Sequence, residues 1–186
     1  MPSPRPWILV RSEPLQDCGI FRLSRTLARS PRTGDVHPFH QIRAGDWVNV
    51  IPVTGDGRLV LVRQYRHGCQ QLTLEIPGGM IDPGETPEAA AARELLEETG
   101  YRSDRLESLG WLSPNPALFD NRLHVFLAPG AERVAEIRND QATEETSVVL
   151  VPMAEVERMI AEGCIHHALV IAALFRWRLH AEQARG

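Results

Sequence analysis

The segment GGMIDPGETPEAAAARELLEETGY, residues 78–101, carries the signals that decide the fold. Thr86 suits the N-cap of a helix and Pro87 suits its first position, where a missing N–H costs nothing. Gly100 suits the position just past the C-terminus, because glycine adopts the left-handed conformation without strain. The pattern therefore predicts a helix from Pro87 to about Thr99, preceded by a turn at IDPGE.

Three glutamates of this helix, Glu94, Glu97 and Glu98, fall on one face near its C-terminal end. Carboxylates three and four residues apart repel each other on a helix surface, and the negative end of the helix dipole disfavours them further. A divalent cation would turn this repulsion into coordination, because Mg²⁺ prefers oxygen ligands. The acidic face therefore predicts a metal site.

The wider spacing resembles a known signature. Glycine, five residues, glutamate, seven residues and then RELLEETGY match the Nudix box of the Nudix hydrolases. The matching positions are Gly79, Glu85, Arg93, Glu94, Glu97, Glu98 and Gly100. The one departure is Tyr101, which stands where an aliphatic residue is usual and which we expect to pack into the core.

The resemblance implies roles for these residues. Glu94, Glu97 and Glu98 would bind Mg²⁺, or Mn²⁺, with Glu98 also essential for catalysis. The backbone at Gly78 and Gly79 would add a carbonyl ligand, because glycine lets the backbone approach closely. Arg93 would tie down the loop glutamate, Glu85, which gives both a structural role; the spacing alone would also allow Arg93 to pair with Glu97.

A narrower resemblance covers most of the chain. The order VRQYR, LEIPGG with the box, then an acidic loop and a strand is similar to the ADP-ribose and nucleotide-sugar pyrophosphatase branch. In that branch a glutamate of the acidic loop acts as general base, which here implies Glu144, with Glu145 as the alternative. Arg63 and Arg66 of VRQYR are candidate phosphate ligands through bidentate hydrogen bonds.

The strand and helix signals predict an α/β fold. Alternating runs on both sides of TGDG, residues 54–57, predict a hairpin, and further strands alternate with helices towards the C-terminus. Together with the resemblance, this implies a Nudix-type α/β/α sandwich with a mixed sheet. Residues 1–45 are expected to form a small N-terminal β segment, which would mediate homodimer formation, and residues 46–186 the hydrolase domain.

Composition narrows the classes of partner. The chain has 186 residues, a net charge of −4 and no broad basic region, so we expect no binding to nucleic acid. Its longest apolar run, ALVIAALF, is too short to span a bilayer, which predicts no membrane insertion. Three dispersed cysteines and no visible signal peptide predict a cytoplasmic protein.

The favoured activity is Mg²⁺-dependent hydrolysis of a nucleoside diphosphate linked to another moiety, of the ADP-ribose or nucleotide-sugar type. The products would be a nucleoside monophosphate and a phosphorylated fragment. One alternative is a housecleaning hydrolase of modified nucleoside triphosphates or dinucleoside polyphosphates. A second alternative is a Nudix-fold module that senses a nucleotide without cleaving it. The segment SPNPALFDNRLHVFLA, residues 113–128, departs from the branch and leaves the exact substrate open.

Overall fold

The computed structural model describes residues 3–137 and 145–183. The chain divides into two compact units. The first comprises Met1–Gly45 together with Ser113–Arg122, and the second comprises Asp46–Leu112 and Leu123–Gly186. The N-terminal segment expected over residues 1–45 thus lies within a unit that also contains residues 113–122.

The first unit contains an antiparallel sheet of three strands, β1 (Ile8–Asp17), β2 (Phe21–Arg29) and β3 (Val36–Ala44), in that order. The sequence predicted a β segment here. It gave no signal for β3 itself, because Pro38 and the Pro- and Gly-containing residues before it favour a loop. Among the described strands β3 pairs only with β2, and an edge strand tolerates a proline.

The second unit begins with the predicted hairpin strands and ends with a long helix. In chain order its elements are β4 (Trp47–Val53), β5 (Arg58–Arg66), β6 (Gln71–Glu75), β7 (Gly78–Met80), α1 (Pro87–Thr99), β8 (Tyr101–Arg102), β9 (Glu107–Leu112), β10 (Leu123–Pro129), β11 (Glu132–Arg133), β12 (Thr146–Pro152), α2 (Val156–Ala161) and α3 (Ala168–Gln183). None of the helices in the described part of the chain is long and apolar enough to cross a membrane.

The main sheet is mixed, as predicted. Its order is β12-β5-β4-β10-β9, with β6 alongside β5 and β7 alongside β4. The β4–β10 pair is parallel, and the other described pairs of this sheet are antiparallel. The short strands β8 and β11, which the sequence did not predict, form a separate ribbon.

Helices cover both faces of this sheet. One apolar cluster joins α1, through Ala90, Ala91 and Leu95, to alternate residues of the strands. The other joins α2 and α3 to the opposite set of strand residues. Tyr101 is buried in the cluster beneath α1, which is the packing expected of it. The predicted α/β/α sandwich is confirmed.

Helix α1 begins and ends where the sequence predicts. The Thr86 hydroxyl accepts a hydrogen bond from the backbone N–H of Ala89 at 3.2 Å, and Pro87 is the first helical residue. At the other end Gly100 has a φ of 70°, and its N–H donates to the carbonyl of Leu96. A Cβ at Gly100 would also overlap the carbonyl oxygen of Ala135, so this position requires glycine for two reasons.

Candidate active site

Arg93 lies at the centre of the acidic face of α1. Its Nε and Nη2 donate to the two carboxylate oxygens of Glu85 at 3.1 and 2.9 Å, which is the pairing expected from the resemblance. Its Nη1 donates to Glu94 at 2.8 Å and to Glu97 at 3.2 Å, so the alternative partner also contacts it. Nη2 further donates to the carbonyl oxygen of Met80 at 3.1 Å, which joins α1 to β7.

These contacts shift the protonation equilibria of the group. The hydrogen bonds from Arg93 lower the pKa of the Glu85 carboxyl. The pKa of Arg93 is raised, chiefly by Glu85 and then by Glu94 and Glu97, against the opposing effect of burial. The guanidinium of Arg93 and the carboxylate of Glu85 therefore stay charged at neutral pH.

The glycine strand β7 lies directly against two of the predicted metal ligands. The backbone N–H of Gly78 donates to Glu98 Oε2 at 2.9 Å. A Cβ on Gly79 would overlap the carboxylate of Glu94, so only glycine leaves that side chain in place. Strand β7 pairs with β4 through Val48 and Asn49, and this pairing fixes the position of β7 along the axis of α1.

The four glutamates carry more negative charge than their arginine neutralises. Glu85, Glu94, Glu97 and Glu98 contribute four carboxylates, and Arg93 is the cation bonded to the first three. Within residues 3–137 and 145–183, no three Asp, Glu, His or Cys side chains converge closely enough to hold a metal ion between them. The donor set nevertheless fits a divalent cation, because it offers carboxylate oxygens beside the close backbone of β7.

The acidic loop ends beside this helix. Glu144 lies outside the described residues, and Glu145 is exposed immediately before β12. The next residue, Thr146, is buried, and its hydroxyl donates to the backbone carbonyl oxygen of Glu98 at 3.2 Å. The C-terminal end of the loop is therefore anchored to the last turn of α1, while the assignment of the general base to Glu144 or Glu145 stays a prediction.

The two candidate phosphate ligands occupy different environments. Arg63 is exposed on β5, whereas Arg66, at the end of the same strand, pairs with Glu75. Side chains alternate between the two faces of a strand, so the two arginines lie on opposite faces. Gln64 shares the face of Arg66 and is opposite Thr146, which contacts α1. Arg66 is therefore on the face of the acidic helix, and Arg63 is on the other.

A second ionic cluster surrounds Glu75, which the sequence did not single out. The side chain is 3% exposed and accepts hydrogen bonds from Arg66 at 2.9 and 2.8 Å and from Thr73 at 2.6 Å. Nδ1 of His167 lies 2.8 Å from its Oε2. Burial alone would raise the pKa of Glu75, but the bonds from Arg66, His167 and Thr73 hold it well below its usual value.

The ionised state of Glu75 settles the hydrogen bond with His167. An ionised carboxylate can only accept, so Nδ1 of His167 must carry the hydrogen. The partner of His167 is thus a carboxylate 92 residues away in the sequence. The feature of the sequence that could have identified Glu75 is the presence of an acidic residue within the apolar strand sequence LTLEIP. The fold buries this position.

Comparison with known proteins agrees with this geometry. A family model described as the NUDIX domain matches residues 45–174. An ADP-ribose pyrophosphatase of Bacillus subtilis (strain 168) is 32% identical over 127 residues, which are 68% of this chain and 69% of that protein. An ADP-ribose pyrophosphatase of Mycobacterium tuberculosis is 30% identical over 166 residues, or 89% of this chain and 80% of that protein.

A solved structure supports the same fold. The crystal structure of an ADP compounds hydrolase superposes with a TM-score of 0.86 at 24% sequence identity. The match covers 99% of this chain and 98% of the other. At this level of identity the similarity concerns the fold.

Proposed function

Since this chain belongs to the NUDIX family of hydrolases, we propose that it cleaves the diphosphate of an ADP-linked small molecule, such as ADP-ribose or an ADP-sugar. The products would be AMP and a phosphorylated fragment. The observation that carries this proposal is the group of four glutamates around Arg93 on α1, held against the glycine strand. The two relatives named ADP-ribose pyrophosphatase support the substrate class.

Nudix hydrolases generally use divalent metal ions, and we propose Mg²⁺, with Mn²⁺ as a substitute. Glu94, Glu97 and Glu98 would hold it, with a backbone carbonyl of the Gly78–Gly79 segment. When bound, such an ion neutralises phosphate charge, lowers the pKa of a coordinated water and stabilises the leaving oxygen. The neutralisation of phosphate charge matters for binding, because a protein with a net charge of −4 repels a polyanion.

The side chains around the ligands divide the remaining work. Arg93 and Glu85 hold the loop before α1 against β7 and so keep the acids in register with the glycine strand. Glu144, or Glu145, would accept the proton of the attacking water as general base. Arg66 would bind a phosphate of the substrate, because it lies on the face of the acidic helix.

The location and assembly are also proposals. Cys18, Cys69 and Cys164 are exposed free thiols, which is compatible with a reducing cytoplasm. Strand β1 exposes Ile8 and Leu9, at 60% and 64%, and a second copy of the chain would cover them in a homodimer.

A substrate panel tests the proposed function. ADP-ribose, an ADP-sugar, a dinucleoside polyphosphate and deoxynucleoside triphosphates would each be incubated with Mg²⁺, with Mn²⁺ and with EDTA, and the products separated by chromatography. We expect AMP from the first two compounds and no turnover in EDTA. Preference for triphosphates would favour the housecleaning alternative. Binding without turnover of any compound would overturn the proposal in favour of a sensing module.

A further inference from the structure

We propose that Glu75 and His167 are positioning residues for substrate binding, which hold the guanidinium of Arg66 in the orientation that receives a phosphate. This inference rests on the proposed function, since it concerns the same site. It gives a role to a buried acid and to a histidine that lie outside the Nudix box.

The contacts of Glu75 explain how the orientation is fixed. Arg66 donates to it through Nε and Nη2, so the two planar groups meet along two parallel bonds. A bidentate pair of this kind defines the plane of the guanidinium as well as its distance. Thr73 and His167 hold the carboxylate from other directions, which prevents it from rotating with the arginine.

The exposures of Glu75 and Arg66 show which of the two a ligand can reach. Glu75 is 3% exposed, so it cannot contact a substrate itself. The side chain of Arg66 is 43% exposed despite its two bonds to Glu75. The guanidinium is therefore both fixed by a buried partner and accessible to a phosphate, which lowers the entropy lost on binding.

The cluster lies close to the acidic face of α1. Arg66 follows Gln64 by two positions on β5, and Gln64 is opposite Thr146, whose hydroxyl bonds to the carbonyl of Glu98. Gly78 follows Glu75 by three residues, so their Cα atoms are at most about 11 Å apart. A diphosphate bound beside the glycine strand is thus within reach of Arg66.

His167 is the residue at which this inference can be tested without removing a buried charge. It is 38% exposed and immediately precedes α3, so its replacement leaves no large cavity. His167→Ala removes one donor from Glu75 and lets the carboxylate move with Arg66. His167→Asn keeps an amide N–H near the place of Nδ1. The exposed neighbour His166 provides a matched control, His166→Ala.

The experiment measures kcat and KM for ADP-ribose at saturating Mg²⁺ in these variants, with thermal denaturation as a check of folding. We expect His167→Ala to raise KM about fivefold to tenfold and to change kcat less than twofold. His167→Asn should restore most of the wild-type KM, and His166→Ala should match the wild type. A merely structural histidine would lower thermal stability without this selective change in KM.

A double mutant tests whether the effect passes through Arg66. Arg66→Ala alone should raise KM, and adding His167→Ala to it should raise KM no further, because the two residues belong to one hydrogen-bond network through Glu75 and their effects are not additive. An equal rise in both backgrounds, or an unchanged KM in His167→Ala, would overturn the inference while the proposed function stands. Absence of turnover in the wild-type protein would instead overturn the proposed function, and this inference with it.

Discussion

Two ionic clusters of the second unit differ in how their carboxylates are matched by donors. Around Arg93, carboxylates are in excess, because one guanidinium serves Glu85, Glu94 and Glu97, with Glu98 close by on the same helix. Around Glu75, donors and acceptor sites are matched, because one buried carboxylate accepts from an arginine, a histidine and a threonine. The first cluster offers several carboxylate oxygens, which are the ligands that a divalent cation prefers, whereas the buried carboxylate of the second is paired with an arginine.

This difference separates the cluster expected to determine kcat from the cluster expected to contribute most to stability. A buried carboxylate with several donors is costly to disturb, because removing the charge leaves its partners unpaired. A surplus of carboxylates on one helix face costs stability, and a helix retains it only where something else offsets the repulsion. Neutralising one acid should therefore harm activity in the first cluster and stability in the second.

The largest effect is expected from Glu98→Gln. The amide oxygen can still accept the bond from Gly78, but a metal ligand and a negative charge are lost, so turnover of ADP-ribose should fall by about 10³-fold or more. The melting temperature should stay the same or rise. Glu88→Gln, at an exposed position in the first turn of α1, is the matched control for kcat. Near-normal turnover in Glu98→Gln would contradict the role of Glu98 as a metal ligand that turnover requires.

Glu75→Gln should have the largest effect on stability. Replacing the buried carboxylate removes the charged acceptor of the bonds from Arg66, His167 and Thr73, and we expect a loss of about 1–3 kcal/mol in the free energy of unfolding. Urea denaturation measures it. In the control Glu162→Gln, which removes an exposed partner of Arg158, the loss should be less than about 1 kcal/mol. Equal losses in the two variants would mean that the buried ion pair of Glu75 contributes no more to stability than the exposed pair of Glu162.

Variants of the acidic loop test whether an acid outside α1 also takes part in catalysis. Glu144→Gln should lower kcat about 10²-fold, because the attacking water loses its base, and should leave cation affinity unchanged. Stopped assays with ADP-ribose, together with Mn²⁺ titration, measure both quantities. Glu145→Gln is the matched control. If Glu145→Gln alone lowers kcat, the base is one residue later than predicted, and if neither does, the loop has no such role.

A smaller effect concerns the pH dependence of stability. The pKa of Glu75 is lowered in the folded protein, whereas a glutamate in an unfolded chain has a pKa of about 4.3. The ionised carboxylate therefore contributes stability above that pH, and the contribution is lost as the pH falls towards the lowered value. The free energy of unfolding should decline between about pH 5 and pH 3, and should decline less steeply in Glu75→Gln. Parallel pH profiles of the wild type and Glu75→Gln would contradict the stabilising role of the ionised Glu75 carboxylate.

The two clusters also differ in how far the sequence predicts them. The bounds of α1 and the role of Thr86 follow from local signals in the sequence, the contact of Arg93 with Glu97 from their spacing, and its pairing with Glu85 from the resemblance to the Nudix box. Glu75 and His167 are 92 residues apart, and only the packing of α3 beside the sheet brings them together. Strand β7 likewise depends on residues that are distant in the sequence. Its glycines have a low strand propensity, and the strand forms because it pairs with β4.

The central claim is that the acids of α1 jointly bind a divalent cation. Titration calorimetry with Mg²⁺ or Mn²⁺ in the presence of a non-hydrolysable methylene analogue of ADP-ribose tests it most directly. We predict saturable binding in the wild-type protein, at least about tenfold weaker binding in Glu98→Gln, and unchanged affinity in the exposed control Glu88→Gln. Equal cation affinity in wild type and Glu98→Gln, or no binding to either, would contradict the account.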